Sequence, residues 1–338
     1  MEKIDIGIIG VGYLGSIHAR ILSGIQSANF VGVYDINEER AKKIAGEIGV
    51  KSFQTLDQLL DNVKAVVIAT PTTTHRDIAL YCLNRGIHTF IEKPITDTIE
   101  GADEIIKLSR EKNLKVQVGH VERFNPALLS LSGYNINPVF IETHRLAQFK
   151  PRGTDVAVIL DLMIHDIDII LNLVKSQIYE IRASGVAVIS DSIDIANARI
   201  QFENGCIANV TASRISRKNE RKMRIFQKNA YISIDFLQGI AEIFRLVDED
   251  DESVEPTYLL GSINEGAKRK KIVYEQPEVK NVNPIEMELT SFIDSILHDK
   301  PVIVDAEDGK RSLEVAFKII SEIEKQQKIV REKMSFDV

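Results

Sequence analysis

IDIGIIGVGYLGSIHA, at residues 4–19, is the stretch that decides the fold of this chain. A short apolar run leads directly into Gly10-x-Gly12-x-x-Gly15, and a helix-like pattern follows. The glycines have separable roles: Gly10 permits a tight turn, Gly12 lets the backbone approach a pyrophosphate, and Gly15 lets the helix pack closely on the strand. The start of that helix offers N–H groups and a partial positive charge to phosphates. The stretch therefore predicts a dinucleotide-binding βαβ unit.

An acidic residue stands where such a unit requires one. A second apolar run, Phe30–Tyr34, ends in Asp35, about 20 residues after Gly15. A carboxylate at this place can accept hydrogen bonds from the adenosine ribose hydroxyls and would repel a 2′-phosphate, which predicts NAD in preference to NADP. Three glycines could instead form a structural βαβ unit without a ligand, but the strand, the helix and the acid agree. Cofactor contacts are predicted at Gly10, Gly12, Tyr13, Leu14, Gly15 and Asp35.

The bulk properties exclude several classes of protein. The chain has 338 residues, enough for two domains with sizeable cores, and the composition of an ordinary globular protein. A formal net charge of −7 disfavours nucleic acid as a partner. No apolar stretch approaches the length of a membrane span, about 18 residues or more. The early first strand leaves no room for a signal peptide, and Cys82 and Cys206 are isolated, so we expect a reduced, cytoplasmic protein.

Strand and helix signals alternate regularly through the first 120 residues. Ala65–Ala69 is a continuous apolar run, as expected of a strand buried on both faces of a parallel sheet, and His88–Ile91 reads as the next strand. We therefore predict a doubly wound, Rossmann-type α/β domain over residues 1–120. In such sheets ligands bind beyond the carboxyl ends of the strands, where this chain has Thr70-Pro71-Thr72-Thr73-Thr74-His75 and Glu92-Lys93-Pro94.

From residue 121 to residue 338 the pattern is that of an α+β domain with a large open, mainly antiparallel sheet. One strongly apolar helix is predicted over Val156–Leu173, and two more over Pro284–Leu297 and Gly309–Gln326, which could pack back on the first domain. Residues 250–284 are expected to form an exposed loop region with short strands. Longer alternating stretches predict strands at Val139–Arg145, Ile178–Val188, Ala196–Phe202, Ile207–Ala212 and Ala230–Phe236.

An open sheet of this kind usually covers its outer face with another subunit. The second domain is therefore expected to bind substrate and to mediate a homo-oligomer, either a dimer or a tetramer.

Two sets of polar residues are not explained by packing, and the first is Glu92-Lys93-Pro94 at a strand end. A lysine beside the nicotinamide could act as a general acid/base, taking the proton of a substrate hydroxyl while hydride moves to the ring. The alternative is a surface lysine in a loop.

The second set is Asp161-x-x-x-His165-x-x-Asp168, within the apolar segment VAVILDLMIHDIDIILNL. Residues i, i+4 and i+7 of a helix share one face, so the three side chains are expected to project together. His165 could be a core histidine whose hydrogen bonds the acids supply. Two acids and a histidine could also bind a metal, but further ligands are missing and no metal is predicted. A third interpretation is catalytic, with Asp161 and His165 holding a sugar hydroxyl and tuning a proton relay with Lys93.

These motifs together resemble the glucose–fructose oxidoreductase / inositol dehydrogenase / rhizopine catabolism (Gfo/Idh/MocA) family, in order and spacing over essentially the whole chain. The resemblance implies that Lys93 is the catalytic lysine and that Asp161 and His165 lie beside the substrate. Family members often have glycine where this chain has Met163, which would reshape the pocket. The resemblance also implies contacts on the nicotinamide side of the cofactor cleft from Thr70, Pro71, His75, Glu92 and Lys93.

A finer resemblance is to the branch of that family that acts on UDP-N-acetylglucosamine, and it rests on His120–Pro126 and Asp161–Asp168. In that branch the sugar C3 hydroxyl is oxidised to a ketone, which an aminotransferase converts to an amino sugar for lipid A. An anionic nucleotide substrate needs cationic donors in a net-acidic protein. The candidates for these contacts, for which the alternative is ordinary surface charge, are Arg123, Asn125, Arg145 and Lys150.

We therefore expect an NAD-dependent dehydrogenase that oxidises a sugar ring hydroxyl to a ketone, foremost C3 of UDP-N-acetylglucosamine. One rival is a free-sugar or inositol dehydrogenase. A rival of another class is a non-catalytic nucleotide-sensing regulator, which would have no need of Lys93, Asp161 and His165. A sugar or sugar-nucleotide substrate and a pathway aminotransferase are the expected partners, and neither nucleic acid nor a membrane is expected.

Overall fold

The computed structural model describes residues 2–150, 156–249, 258–265 and 268–334. The chain divides into two compact units: Met1–Phe124 with Val282–Leu313, and Asn125–Asn281 with Glu314–Val338. The sequence predicts one boundary at residue 120, with C-terminal helices that could pack back on the first domain, and residues 282–313 belong to the first unit. They return to it because a helix in this segment buries apolar side chains in the first unit's core.

Short strands alternate with helices in the first part of the chain, and long strands dominate the second. No helix in the described part of the chain combines the length and the apolar character that crossing a membrane requires. The strands are β1 (Ile4–Ile9), β2 (Ala28–Tyr34), β3 (Lys51–Ser52), β4 (Ala65–Ile68), β5 (His88–Glu92), β6 (Val116–Gly119), β7 (Phe140–Leu146), β8 (Ile178–Val186), β9 (Ile195–Phe202), β10 (Ile207–Ser213), β11 (Glu220–Gln227), β12 (Ala230–Asp235), β13 (Ile240–Asp248), β14 (Tyr258–Glu265) and β15 (Lys268–Glu275). The helices are α1 (Tyr13–Leu22), α2 (Glu38–Ile48), α3 (Leu56–Leu60), α4 (His75–Asn84), α5 (Ile99–Lys112), α6 (Pro126–Leu129), α7 (Ile164–Val174), α8 (Pro284–Leu297) and α9 (Ala306–Met334).

The first unit is built on a parallel sheet with the strand order β3-β2-β1-β4-β5-β6. The order reverses between β1 and β4, and in open sheets ligands bind beyond the carboxyl ends of the strands at such a point. The predicted doubly wound sheet is confirmed.

Caps and apolar packing explain how the helices of this unit are placed. Asn37, Thr55 and Thr98 each accept a hydrogen bond from a backbone N–H in the first turn of α2, α3 and α5. Helix α8 buries an apolar stripe in the core, where the ring of Phe292 meets that of Phe90 edge-on at a centroid distance of 5.9 Å. This stripe holds residues 282–313 in the first unit.

A buried histidine ties two loops at the carboxyl edge of this sheet. His75 is 1% exposed, with Nδ1 2.9 Å from the Pro94 carbonyl oxygen and Nε2 3.0 Å from the Thr70 carbonyl oxygen. Thr70 follows β4 and Pro94 follows β5. A neutral imidazole carries one N–H and donates to one carbonyl at a time. Burial lowers the pKa of His75, and the hydrogen bonds to Pro94 and Thr70 offset only part of that effect.

The second unit contains, among the described residues, a sheet of order β14-β15-β13-β12-β11-β7-β10-β9-β8. Strands β7 and β10 are parallel, and every other neighbouring pair is antiparallel. This confirms the predicted large, mainly antiparallel sheet. Its inner face forms one apolar core with α7 and α9, to which Ile141, Ile167, Val210, Ile225 and Ile319 contribute.

Several elements of the second unit differ from the prediction. Strands β11 and β13 are not apparent in the sequence, and in β11 the buried Met223 and Ile225 alternate with the charged Lys222 and Arg224. Within the region expected to be a loop with short strands, β14 and β15 are strands of 8 residues each that pair with one another. Residues 250–257 and 266–267 of that region lie outside the described residues.

The apolar helix predicted over Val156–Leu173 begins as a different kind of helix. Ile159–Met163 forms a π-turn, and the α-helix proper is α7. A π-turn closes i→i+5 hydrogen bonds instead of i→i+4, so it carries extra residues per turn. The angular spacing of side chains along this segment is therefore not that of an unbroken α-helix.

We predict that His75 makes stability depend on pH. Because the pKa of His75 is lower in the folded chain than its ordinary value of 6.5, the unfolded chain binds this proton more readily. Wild-type protein should therefore lose stability as the pH falls from about 8 to about 5.5, and His75→Gln should lose less of it. Thermal unfolding of both proteins over this range measures the difference.

His298→Gln is the matched control, because His298 is exposed just beyond α8. This variant should keep the wild-type pH dependence. Parallel stability curves for wild type and His75→Gln would contradict the prediction.

Candidate active site

The glycine loop after β1 has the geometry that the phosphates of a dinucleotide require. Gly10 has a φ of +85°, and a Cβ on Gly15 would lie 1.9 Å from the Gly10 carbonyl oxygen. Among the described residues, a Cβ on Gly12 would meet Arg40 Nη1 alone, at 3.7 Å. Gly10 and Gly15 are thus required by the turn and by the helix–strand contact, while Gly12 leaves the backbone open to a ligand.

Helix α1 begins at the residue after Gly12, beside this loop. Tyr13 is 63% exposed and Leu14 40% exposed, so the first turn presents its side chains to solvent at the carboxyl edge of the sheet. A helix start next to an open glycine backbone fits a dinucleotide pyrophosphate.

Asp35 holds the glycine loop from the end of β2. It is 7% exposed, with Oδ2 accepting a hydrogen bond from Val11 N at 2.8 Å and Oδ1 one from Asn37 N at 2.8 Å. Arg40 Nε lies 3.6 Å from Oδ2. The carboxylate therefore has a structural role in the loop, and a cation stands beside the acid predicted to repel a 2′-phosphate.

Glu92, at the end of β5, is buried and held by two donors. Oε1 accepts from His18 Nε2 at 2.6 Å, and Oε2 accepts from Lys93 N at 3.1 Å. Burial would raise the pKa of Glu92, but the hydrogen bond from His18 and the charges of His18 and Lys93 hold it below its ordinary value. Since an ionised carboxylate only accepts hydrogen bonds, Nε2 of His18 carries the proton.

The remaining residues predicted on the nicotinamide side follow β4 and β5. Pro71 is exposed, Thr70 is half-buried, and the Thr70 hydroxyl accepts from the Thr74 hydroxyl at 2.8 Å. Lys93 is half-buried directly after Glu92. His75 is buried below these loops and engages backbone carbonyls, so it supports the edge from within. The first unit thus brings the glycine loop, Asp35, Thr70, Pro71 and Lys93 to one edge of its sheet.

In the second unit, the three polar residues predicted on one helix face differ in burial and in the helical element that carries them. Asp161 lies in the π-turn and His165 in the first turn of α7, and both are half-buried, whereas Asp168 is 1% exposed. The π-turn changes the angular step between Asp161 and His165, and within α7 the buried Asp168 has different surroundings from the half-buried His165; a face shared by all three stays a prediction. π-turns inside α-helices occur often at functional sites. No group of three or more metal-binding side chains occurs within the described ranges.

Arg145, one of the candidate substrate cations, forms an internal ion pair. Its Nε and Nη2 lie 3.1 and 2.7 Å from the two carboxylate oxygens of Asp166, and both residues are 2% exposed. The guanidinium also lies over the ring of Phe236 at 5.9 Å. The buried bidentate pair contradicts ordinary surface charge for Arg145, and its contact with substrate stays a prediction.

Arg123 and Asn125 also have internal partners. Arg123 is 8% exposed, and its Nη2 lies 3.5 Å from Asp308 Oδ2 within the first unit. In the second unit Asn125 caps α6 by accepting from Ala127 N at 3.1 Å. Lys150, by contrast, is exposed. The internal partners explain why Arg123 and Asn125 are buried, and their contact with substrate stays a prediction.

Three partners of the candidate site residues occupy none of the defining positions of the sequence motifs. They are His18, which binds Glu92, Asp166, which binds Arg145, and Arg40, which lies beside Asp35. His18 can still be identified from the helical pattern of the sequence. It occupies the buried stripe of α1 with Ala19 and Leu22, where a polar residue needs a partner.

Comparison with known proteins agrees with this geometry. Residues 4–120 match an oxidoreductase family with an NAD-binding Rossmann fold, and residues 139–233 match the GFO/IDH/MocA C-terminal domain. The chain is 36% identical to UDP-N-acetylglucosamine 3-dehydrogenase of Acidithiobacillus ferrooxidans, over 94% of this chain and 97% of the relative. It is 23% identical to myo-inositol 2-dehydrogenase of Thermotoga maritima, over 97% of this chain and 99% of the relative.

Solved structures extend the comparison to the whole fold. The structure of the Acidithiobacillus ferrooxidans UDP-N-acetylglucosamine 3-dehydrogenase superposes with a TM-score of 0.85 at 35% identity, over 96% of this chain and 99% of that one. A putative myo-inositol dehydrogenase from Sinorhizobium meliloti shares the fold, with a TM-score of 0.77 at 21% identity, over 96% of this chain and 98% of that one. With matches in both units and a full-length relative above 30% identity, the chain belongs to the Gfo/Idh/MocA family of NAD-binding oxidoreductases.

Proposed function

We propose that this protein is an NAD-dependent dehydrogenase that oxidises the C3 hydroxyl of UDP-N-acetylglucosamine to a ketone. The observation that carries the proposal is the 36% identity to UDP-N-acetylglucosamine 3-dehydrogenase, which extends over 94% of the chain. The full-length inositol dehydrogenase relative reaches 23%. This difference favours a nucleotide sugar over a free polyol as the substrate.

The cofactor is assigned to the carboxyl edge of the first unit's sheet. The glycine loop and the start of α1 are suited to the pyrophosphate, Asp35 to the adenosine ribose, and Thr70, Pro71 and Lys93 to the nicotinamide side. NAD, when bound, accepts the hydride that leaves the sugar carbon.

Lys93 is assigned the proton of the reaction. Oxidation of an alcohol removes a hydride from carbon and a proton from oxygen, and the side-chain nitrogen of Lys93 takes that proton as the carbonyl forms. Asp161 and His165 are assigned to binding the sugar, which is consistent with their half-buried positions on a π-turn and the helix that follows it. A nucleotide-sensing regulator would need none of these three residues.

We propose NAD rather than NADP as the preferred cofactor. The carboxylate of Asp35 would repel a 2′-phosphate, but the guanidinium of Arg40, 3.6 Å away, would attract one. The balance between these two charges decides the preference, and both backbone hydrogen bonds of Asp35 fix the acid in place.

We also propose that the outer face of the second unit's sheet binds a second copy of the chain. Six aromatic rings form a row across neighbouring strands, with successive centroids 4.9 to 6.2 Å apart. Beside the row, Arg224 and Glu142 form an ion pair at 3.2 Å, so these two charges offset one another. A two-fold axis would lay such a row on its own copy. The row consists of Phe140, Phe226, Tyr231, Phe244, Tyr274 and Tyr258.

The pathway and cellular location that we propose follow from the substrate. A 3-keto sugar nucleotide is a substrate for amination, which makes a pathway aminotransferase the expected partner and lipid A synthesis the expected destination. Cys82 and Cys206 are buried and unpaired, as is usual in a reducing compartment, and we propose a cytoplasmic location.

The first test combines the substrate and the proton acceptor. Purified protein with NAD and UDP-N-acetylglucosamine should form NADH, measured by its absorbance. Lys93→Ala should lower kcat by about 100- to 10,000-fold and leave NAD affinity within about 3-fold, because it removes the proton acceptor but no phosphate contact.

Lys64→Ala is the matched control, since Lys64 is exposed at the opposite end of β4 from the site. It should retain wild-type activity. NADH formed from myo-inositol or glucose, but not from the nucleotide sugar, would favour the rival dehydrogenase. Full activity of Lys93→Ala would rule out the proton assignment.

The cofactor preference is tested by Asp35→Asn. This variant removes the charge and keeps an acceptor oxygen for the glycine loop, so the ratio of kcat/KM for NAD to that for NADP should fall by about 10- to 100-fold. Steady-state kinetics with both cofactors measure the ratio. The double variant Asp35→Asn/Arg40→Ala should lose the increase in kcat/KM for NADP that the single variant shows. An unchanged ratio in the single variant would contradict the role of Asp35.

The interface is tested by Tyr231→Glu, at the middle of the aromatic row. A charge buried between two copies is costly, whereas on a solvent-facing sheet it is tolerated, so the variant should be a folded monomer. Light scattering during size-exclusion chromatography measures the mass. Ile303→Glu, which alters an exposed residue outside this sheet, is the control and should keep the wild-type mass. A wild-type monomer, or an unchanged oligomer of Tyr231→Glu, would contradict the proposal.

A further inference from the structure

A buried pair of side chains adjoins Lys93 within the first unit. His18 on α1 is 1% exposed and Glu92 is 8% exposed, and the two are joined by the 2.6 Å contact between Nε2 and Oε1. The ring of His18 meets that of Phe90 edge-on at 5.6 Å. Gly119 on β6 faces the acid so closely that a Cβ would lie 3.0 Å from Glu92 Oε2. Helix α1 and strands β5 and β6 thus enclose the pair.

The two oxygens of Glu92 face different donors. Oε1 accepts from a side chain that reaches over from α1, and Oε2 accepts from the backbone N–H of Lys93. A buried carboxylate stays ionised only if such donors replace water. The orientation of the carboxylate, and with it the hydrogen bond to the Lys93 backbone, therefore depends on His18.

His18 is a poor choice for packing alone. Its Nδ1 is buried and has no hydrogen-bond partner among the described residues, which costs free energy. A leucine would fill the space on the apolar stripe of α1 without burying an unsatisfied nitrogen. The bond that Nε2 makes to Glu92 is what distinguishes histidine at this position.

We propose that His18 is a positioning residue for Lys93, acting through the carboxylate of Glu92. By holding Oε1 it aims Oε2 at the Lys93 backbone N–H and fixes the strand end from which the lysine projects. On the other side of Lys93, the carbonyl oxygen of Pro94 lies 2.9 Å from His75 Nδ1. A buried histidine therefore contacts each chain neighbour of the lysine, Glu92 and Pro94. The inference rests on the proton-transfer role proposed above for Lys93.

A merely structural pair would join α1 to β5 and affect stability alone. A positioning pair also controls the charge beside Lys93. The groups that act on Glu92 are His18 from α1 and the adjacent Lys93, and Glu92 in turn acts on His75 from α4. Without His18, burial dominates and the pKa of Glu92 rises, so Glu92 is expected to take up a proton more readily than in wild type. The pH profile of kcat therefore separates the two cases.

The experiment compares His18→Leu, His18→Gln, Glu92→Gln and the double variant His18→Leu/Glu92→Gln in the full chain, with NAD and UDP-N-acetylglucosamine. His18→Leu should lower kcat by about 10- to 100-fold while NAD affinity stays within about 3-fold. It should add an ionisation to the kcat–pH profile that wild type and the double variant lack. His18→Gln, which restores a donor to Glu92, should return kcat to within about 3-fold of wild type.

Leu22→Ala is the control for general loss of stability, because Leu22 is fully buried on the same helix but belongs to the apolar core. At a temperature where it is folded, it should keep the wild-type kcat and pH profile. If His18→Leu does not fold, Glu92→Gln and the double variant still test the proposal, since neither buries an unpaired carboxylate. Their kcat values should be equal.

A further loss of about 10-fold or more in the double variant relative to Glu92→Gln would overturn the proposal, because His18 would then act independently of the acid. A folded His18→Leu with wild-type kcat and pH profile would overturn it as well. Failure of the proposed function has a different signature, namely no turnover by wild type or full activity of Lys93→Ala.

Discussion

The close contact between Gly15 and the Gly10 carbonyl oxygen is the constraint on which the first unit depends. A Cβ at residue 15 would lie 1.9 Å from that oxygen, so only glycine lets α1 start against the end of β1. The contact fixes the helix N-terminus, where we propose that the phosphates bind. It also fixes the face of α1 from which His18 reaches Glu92. The missing side chain at Gly15 therefore helps to set the position of the glycine loop, where we propose that the phosphates bind, relative to the end of β5 that carries Lys93.

Polar side chains hold the loops of this edge in place. Asp35 binds the backbone of Val11, His75 lies against two backbone carbonyls, and Glu92 binds the backbone of Lys93. A loop that leaves a strand end carries backbone groups that the sheet does not pair, and buried side chains that pair them make the loop rigid. A rigid edge is already ordered before a ligand arrives, which favours catalysis. Residues predicted as cofactor contacts therefore belong also to the scaffold.

Most of the first unit could be predicted from sequence because its signals are local. The glycine spacing and the strand–helix alternation lead to the observed strand order. The sequence allows C-terminal helices to pack back on this unit but does not give the bounds 282–313, because the place of this segment depends on Phe292 meeting Phe90, about 200 residues earlier. In the second unit β11 is hard to recognise from sequence because it is rich in charged residues and carries few apolar ones, and its place in the sheet depends on its pairing with the distant β7 and with β12.

The candidate site shows the same contrast, because its motif residues have local sequence signals whereas their partners lie far away in the chain. Lys93, Asp161 and His165 are candidates because of their residue type and the motifs around them. The residues that hold such groups are recognised only by geometry: His18 and Glu92 are 74 positions apart, and Arg145 and Asp166 are 21 apart. Ideal α-helical spacing does not describe Asp161 and His165 either, because the π-turn at Ile159–Met163 changes the angle between them. What a charged residue does is decided by its partner, and the partner is set by the fold rather than by the motif.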